Sequence, residues 1–292
     1  MADRPPRPRS LWPREHGAYV QLSVPLAAAL VTTPSLAGLA IAAGACLAFL
    51  AGEPLRVALG ERGRRWKQAE GGRARRRAVV LGVASAAAGA VGLALASPTV
   101  LGVAGAALAV GLLTVGAALR RVVHTLGGEM LAATALSGAS APVAVAGGAS
   151  PRTAVIVWLA WALGYATTVI AVHHVLERNR RPASRADLPR WLVFVALVGA
   201  VAVVGRRLEL AWLAAPLLAG SLVVLIRPPR AKHLRTVGVV FLVLSLVGAA
   251  YLVVLAERDG ALDAGHGAAV SGERVPARVS LPAPFTLERV AS

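Results

Sequence analysis

Charged residues are missing from long stretches of this chain. Gly17–Ala51, Ala78–Leu119, Thr153–Val172, Trp191–Gly205, Ala211–Ile226 and Thr236–Ala256 hold no Lys, Arg, Asp or Glu. About 20 apolar residues in a helix cross the ~30 Å hydrocarbon core of a bilayer, so each run is long enough for one crossing or, where a breaker divides it, two. Thr33-Pro34-Ser35 divides the first run and Ser97-Pro98-Thr99 the second, because the residue before a proline is pushed out of the helical region. The pattern predicts nine helices, over about 17–32, 35–55, 78–96, 99–119, 126–147, 152–175, 189–205, 209–226 and 234–256. The expected fold class is an all-α polytopic membrane bundle of nine transmembrane helices.

Nine crossings place the two ends of the chain on opposite sides, and charge decides which is which. The N-terminal arm and the 2–3, 4–5, 6–7 and 8–9 connections carry 24 of the 31 Lys and Arg residues, whereas the opposite loops carry Arg152, Arg206 and Arg207. Short loops rich in Lys and Arg stay on the cytoplasmic side. The reading is therefore a multi-pass protein of the cell membrane with a cytoplasmic N-terminus and an external C-terminus. Three parts follow: a basic arm over 1–16, a transmembrane domain over 17–256, and a tail over 257–292 whose Gly, Ala, Pro and Ser read as disordered.

Composition agrees, with 57% hydrophobic and 15% charged residues, a balance that leaves a soluble domain too few polar groups for its surface. The polar, Pro- and Arg-rich start does not read as a cleavable signal peptide. The lone cysteine, Cys46, forms no internal disulfide. The net charge of +17 raises nucleic acid as a partner, but loop cations that orient a membrane protein and meet anionic lipid head groups at the cytoplasmic face account for it, so no nucleic acid is expected.

Five of the six histidines fall at the cytoplasmic ends of the predicted helices: His16, His124, His173, His174 and His233; Glu15, Glu53, Glu129 and Glu177 join them. Ionisable groups near membrane depth are costly unless paired or facing a wet cavity, which points to a polar, cytoplasm-facing site. The competing reading is ordinary interfacial charge, since helix ends tolerate it and Arg snorkels. Glu129 would find Arg56, Arg120 or Arg121. His174 and Glu177, three apart, share a helix face, whereas adjacent His173 and His174 diverge and make poor joint zinc ligands. No Walker loop, dinucleotide fingerprint, serine elbow or CxxC is present, and no span contains Asp.

The run Pro13-Arg14-Glu15-His16-Gly17-Ala18-Tyr19 resembles the opening of the YwiC-like membrane protein family. Arg120-Arg121 followed by Gly127-Gly128-Glu129-Met130-Leu131-Ala132, the stretch from Gly164-Tyr165 to Arg178, and His233-Leu234-Arg235-Thr236-Val237-Gly238 resemble further segments of it, so the likeness covers helices 1 to 9. The nine-helix layout is also similar to the UbiA-type prenyltransferase superfamily, which holds an isoprenyl diphosphate through two Asp-rich motifs and Mg²⁺. That likeness puts the motifs near Gly52-Glu53-Pro54-Leu55-Arg56 and His173-His174-Val175-Leu176-Glu177-Arg178, each with one Glu in place of the Asp pairs. It implies Glu53 and Glu177 as metal ligands, and Glu15, His16, Arg56, Glu129, His173, His174, Glu177 and Arg178 around a lipid or isoprenoid with an anionic head. The absent Asp pairs leave a prenyltransferase and a degenerate binder both open. Two other classes compete: a small-molecule or ion transporter, whose mark is a polar path through the midplane, and a structural membrane protein with a filled bundle.

Overall fold

The computed structural model describes residues 10–13, 16–120, 122, 124–179, 188–205 and 208–258. Every regular element among them is a helix: α1 (His16–Thr32), α2 (Leu36–Leu59), α3 (Arg64–Leu95), α4 (Pro98–Leu119), α5 (Leu126–Gly138), α6 (Ser140–Ala146), α7 (Pro151–Arg178), α8 (Leu188–Gly205), α9 (Ala215–Ile226) and α10 (Leu234–Arg258). A 3-10 segment, Glu209–Ala214, runs directly into α9. Seven helical segments are long and apolar enough to cross a membrane, with α5 and α6 counted as one and the 3-10 segment joined to α9. Two shorter helices, Gly17–Thr32 and Trp191–Val203, are apolar as well. These segments, nine among the described residues, fall on the nine runs of the sequence. The tail from residue 259, Glu15, Arg121 and the side chain of His16 lie outside the described residues.

Both proline-marked turns form where expected. Ser35 caps α2 by accepting from the Gly38 N–H at 2.9 Å, and Pro98 opens α4 at a position where its missing N–H goes unused. Ser150 and Pro151 start α7 in the same way, with Ser150 accepting from the Thr153 N–H at 3.1 Å.

Two boundaries differ from the sequence reading. The third helix begins at Arg64 rather than near residue 78, because the basic segment is itself helical: Arg, Lys, Gln and Ala are good helix formers, and charge alone does not break a helix. The fifth span is broken at Ala139 into α5 and α6. Pro142 has no N–H for the Gly138 carbonyl, so the ladder is interrupted one turn before it.

α7 forms the middle of the core. It packs on α5, α9 and the 3-10 segment, and it buries Trp161, Tyr165, Ile170 and Val175 among Leu213, Leu217 and Phe241. Trp161 and Tyr165 stack with ring centroids 5.7 Å apart. α2 and α3 form a separate hairpin, held by small residues. The Ser85 hydroxyl donates to the Gly44 carbonyl at 2.8 Å, and a Cβ on Gly92 would lie 2.9 Å from both the Ala37 oxygen and the Ile41 nitrogen. Such contact between backbones is how membrane helices associate without a solvent-driven force.

Candidate functional site

Packing of α5 on α7 brings two predicted residues together. Glu129, in the first turn of α5, lies 3.0 Å from His173 Nε2 near the end of α7. His173 is mostly buried and Glu129 partly exposed, so the pair sits at a rim rather than in the interior. Among the described residues the partner found for Glu129 is thus a histidine from another helix; Arg121, one of the arginines considered from the sequence, lies outside them. With its Nε2 engaged by Glu129, the His173 ring keeps Nδ1 for a further contact. His174 beside it is 2% exposed and faces the core, while Glu177 and Arg178 are exposed in the last turn. Asn179 ties this end to the α9–α10 connection, donating to the Val175 carbonyl at 2.7 Å and the Pro229 carbonyl at 3.4 Å. One corner thus collects Glu129, His173, His174, Glu177 and Arg178.

Glu53 and Arg56 belong to a different neighbourhood, because α2 packs chiefly on α3. Glu53 is 4% exposed, and Arg62 reaches it with a forked grip: Nε to Oε1 at 2.9 Å and Nη2 to Oε2 at 2.7 Å. The turn that delivers Arg62 needs Gly60, whose φ of 86° closes α2 in the left-handed region. Arg62 was not singled out from the sequence; its only sign was a basic residue between Gly60 and Gly63, nine positions after a lone apolar-flanked Glu. Both Glu53 oxygens are occupied, so a cation there would have to displace the guanidinium. Among the described residues no group of three or more His, Cys, Asp or Glu side chains is gathered for a metal ion. Among the described residues, a carboxylate held at both oxygens by a guanidinium does not suit Mg²⁺.

The opening motif serves this second neighbourhood. Tyr19 donates to the Pro13 carbonyl at 3.2 Å and meets Phe49 of α2 edge-on, with centroids 4.9 Å apart. Leu11 is buried against Val57 and Ala74, and Arg77 stacks over Trp12 at 4.4 Å. Leu11, Trp12 and Tyr19 therefore tie the α2–α3 hairpin to the start of the chain and to α1.

The interior holds hydroxyls that the sequence reading passed over. Ser221 donates to Thr167 at 3.2 Å, Thr167 to the Gly164 carbonyl at 2.7 Å, Ser245 to the Phe241 carbonyl at 2.7 Å, and Tyr165 to the Val20 carbonyl at 3.3 Å. Their protons are committed to main-chain oxygens or to each other: Ser221 and Tyr165 link α7 to α9 and α1, whereas Thr167 and Ser245 donate back into their own helices. A recess of about 20 Å³, bordered by Pro25, Thr32, Thr33, Ser140 and Thr153, lies at the end of the bundle away from His173.

Apolar helices of this length, with charge collected at one rim, define a polytopic helical membrane protein. The model of the YwiC-like protein family matches residues 12–145, so over that stretch the chain is similar to this family. The match takes in Pro13–Tyr19 and Gly127–Ala132, ends within α6, and is narrower than the likeness read over all nine helices. No curated protein and no solved structure matches the chain.

Proposed function

We propose that this protein holds a lipid with an anionic head, of the isoprenoid diphosphate class, at the corner where α5 meets the end of α7, and that this corner faces the cytoplasm. The contact between Glu129 and His173 carries the reading. It joins the start of one helix to the end of another at membrane-interface depth, beside Arg178 and the buried His174. A diphosphate suits this set: Arg offers a fork of donors, the imidazole an N–H, and the N-terminus of α5 the positive end of a helix dipole. Glu129 fixes the orientation of the His173 ring. The cytoplasmic orientation rests on the bias of Lys and Arg. The likeness to UbiA-type prenyltransferases in helix layout suggests the isoprenoid tail. The Glu53–Arg62 pair argues for a binder rather than a metal-dependent transferase, and the committed interior hydroxyls argue against a transporter.

The test is mass spectrometry of lipid that co-purifies with the full chain from its membrane. Isoprenyl phosphates or diphosphates enriched over the membrane extract in wild type, and lost in the H173A/R178Q variant, are the expected result. Only bulk phospholipid, in bulk proportions and the same in both proteins, would leave a structural membrane protein as the better description.

A further inference from the structure

α3 is far longer than a crossing requires. Its 32 residues make an unbroken helix of about 48 Å. The charge-free part, 78–95, matches the hydrocarbon core, so Arg64–Arg77 projects roughly 20 Å beyond it. This extension carries Arg64, Arg65, Lys67, Arg73, Arg75, Arg76 and Arg77 against a single acid, Glu70. Glu70 pairs with Arg73 at 3.5 Å, and Arg77 lies over Trp12. Ala74 is buried against Val57 and Leu11 and fixes the rotation of the helix. Arg65 and Arg76, three turns apart, then stand on the opposite side, with Arg64 and Arg75 together on one adjoining side, and all four are exposed.

We infer that this outward basic face docks on the anionic phospholipid head groups of the leaflet from which α3 emerges. Three observations favour that occupant. The lower cations, Arg75, Arg76 and Arg77, directly precede the apolar span and so begin at head-group depth. Trp12, 51% exposed beside Arg77, is the kind of side chain that settles at that depth. The hairpin is also rigid where it leaves the membrane: the Glu53–Arg62 pair and the Leu11 strap hold it from two sides, so the cations are presented without ordering a loop. The face is separate from the α5–α7 corner and does not depend on what that corner binds.

The full chain in nanodiscs of mixed phosphatidylcholine and phosphatidylglycerol tests this, with the preference for spin-labelled phosphatidylglycerol over phosphatidylcholine read by electron paramagnetic resonance. Wild type should prefer phosphatidylglycerol. The R65Q/R75Q/R76Q variant should lose at least about fivefold of that preference, the scale expected of even one juxtamembrane cation. Raising the salt from low to high should lower the wild-type preference without any substitution, as screened charge must. V83A, an uncharged change on the exposed apolar part of α3, should keep it. A wild-type preference that is absent, insensitive to salt, or unchanged in the triple variant would overturn the inference.

Discussion

α3 and α7 are both long, apolar helices, yet their surroundings are opposite. In the most apolar window of α7, 67% of residues are buried within the protein; in that of α3, 6% are. Hydropathy reports that a segment prefers lipid to water and is blind to whether its neighbour is lipid or another helix. The distinction lies in residue type. α7 places Trp158, Trp161, Tyr165, Thr167 and Thr168 along its length; these fill space, and Trp158, Tyr165 and Thr167 also hydrogen-bond to adjacent helices. α3 offers Ala, Gly and Ser on the side of α2 and leaves Val79, Val80 and Val83 exposed. One is a core helix in a membrane; the other is half of an outlying hairpin fastened by backbone contact and an ion pair.

Substitutions that strike each region through its own mechanism break the comparison most directly, all read as reversible unfolding in mixed micelles. Trp161→Ala should be the most damaging, by about 3 kcal/mol, the low end of the aromatic-to-Ala range because lipid also solvates the freed surface. Val83→Ala on α3 should be nearly silent; equal losses would show that α3 is packed too. Arg62→Ala should cost about 2 kcal/mol by stranding the buried Glu53 carboxylate, less than for a wholly buried pair because Arg62 is itself partly exposed. The double change E53Q/R62Q should recover most of that loss, and no recovery would mean that the pair does not act through charge. Gly92→Ala should cost about 1–2 kcal/mol by forcing α2 and α3 apart, whereas Gly89→Ala, where a Cβ meets nothing within 4 Å, should not. Ser85→Ala should give the smallest change, about 0.6 kcal/mol, the usual worth of one hydroxyl bond between membrane helices.

The nine segments were legible because lipid imposes a length on any helix that crosses it. The start of α3 was not, since Arg and Lys mark a membrane boundary and a helix interior equally well. The break at Ala139 had a readable cause in Pro142, hidden inside a run that was otherwise uniformly apolar. The candidate corner was half legible. Glu129, His173, His174, Glu177 and Arg178 stand out as ionisable groups at helix ends, but only the packing of α5 on α7 decides that Glu129 meets His173, 44 positions away. Glu53 shows the converse: chosen as a metal ligand by analogy of position, it is held by Arg62 from its own hairpin. Of the opening motif, Tyr19 meets Phe49 of α2, while Glu15 and the side chain of His16, its candidate ligands, lie outside the described residues.

The proposed head-group site is tested most directly by thermal unfolding of the purified full chain with farnesyl diphosphate and, separately, with farnesol. The diphosphate should raise the wild-type midpoint and leave H173A/R178Q unmoved, while the alcohol shifts neither. Equal shifts from diphosphate and alcohol, or equal shifts in wild type and variant, would contradict a site built to hold charge at the junction of α5 and α7.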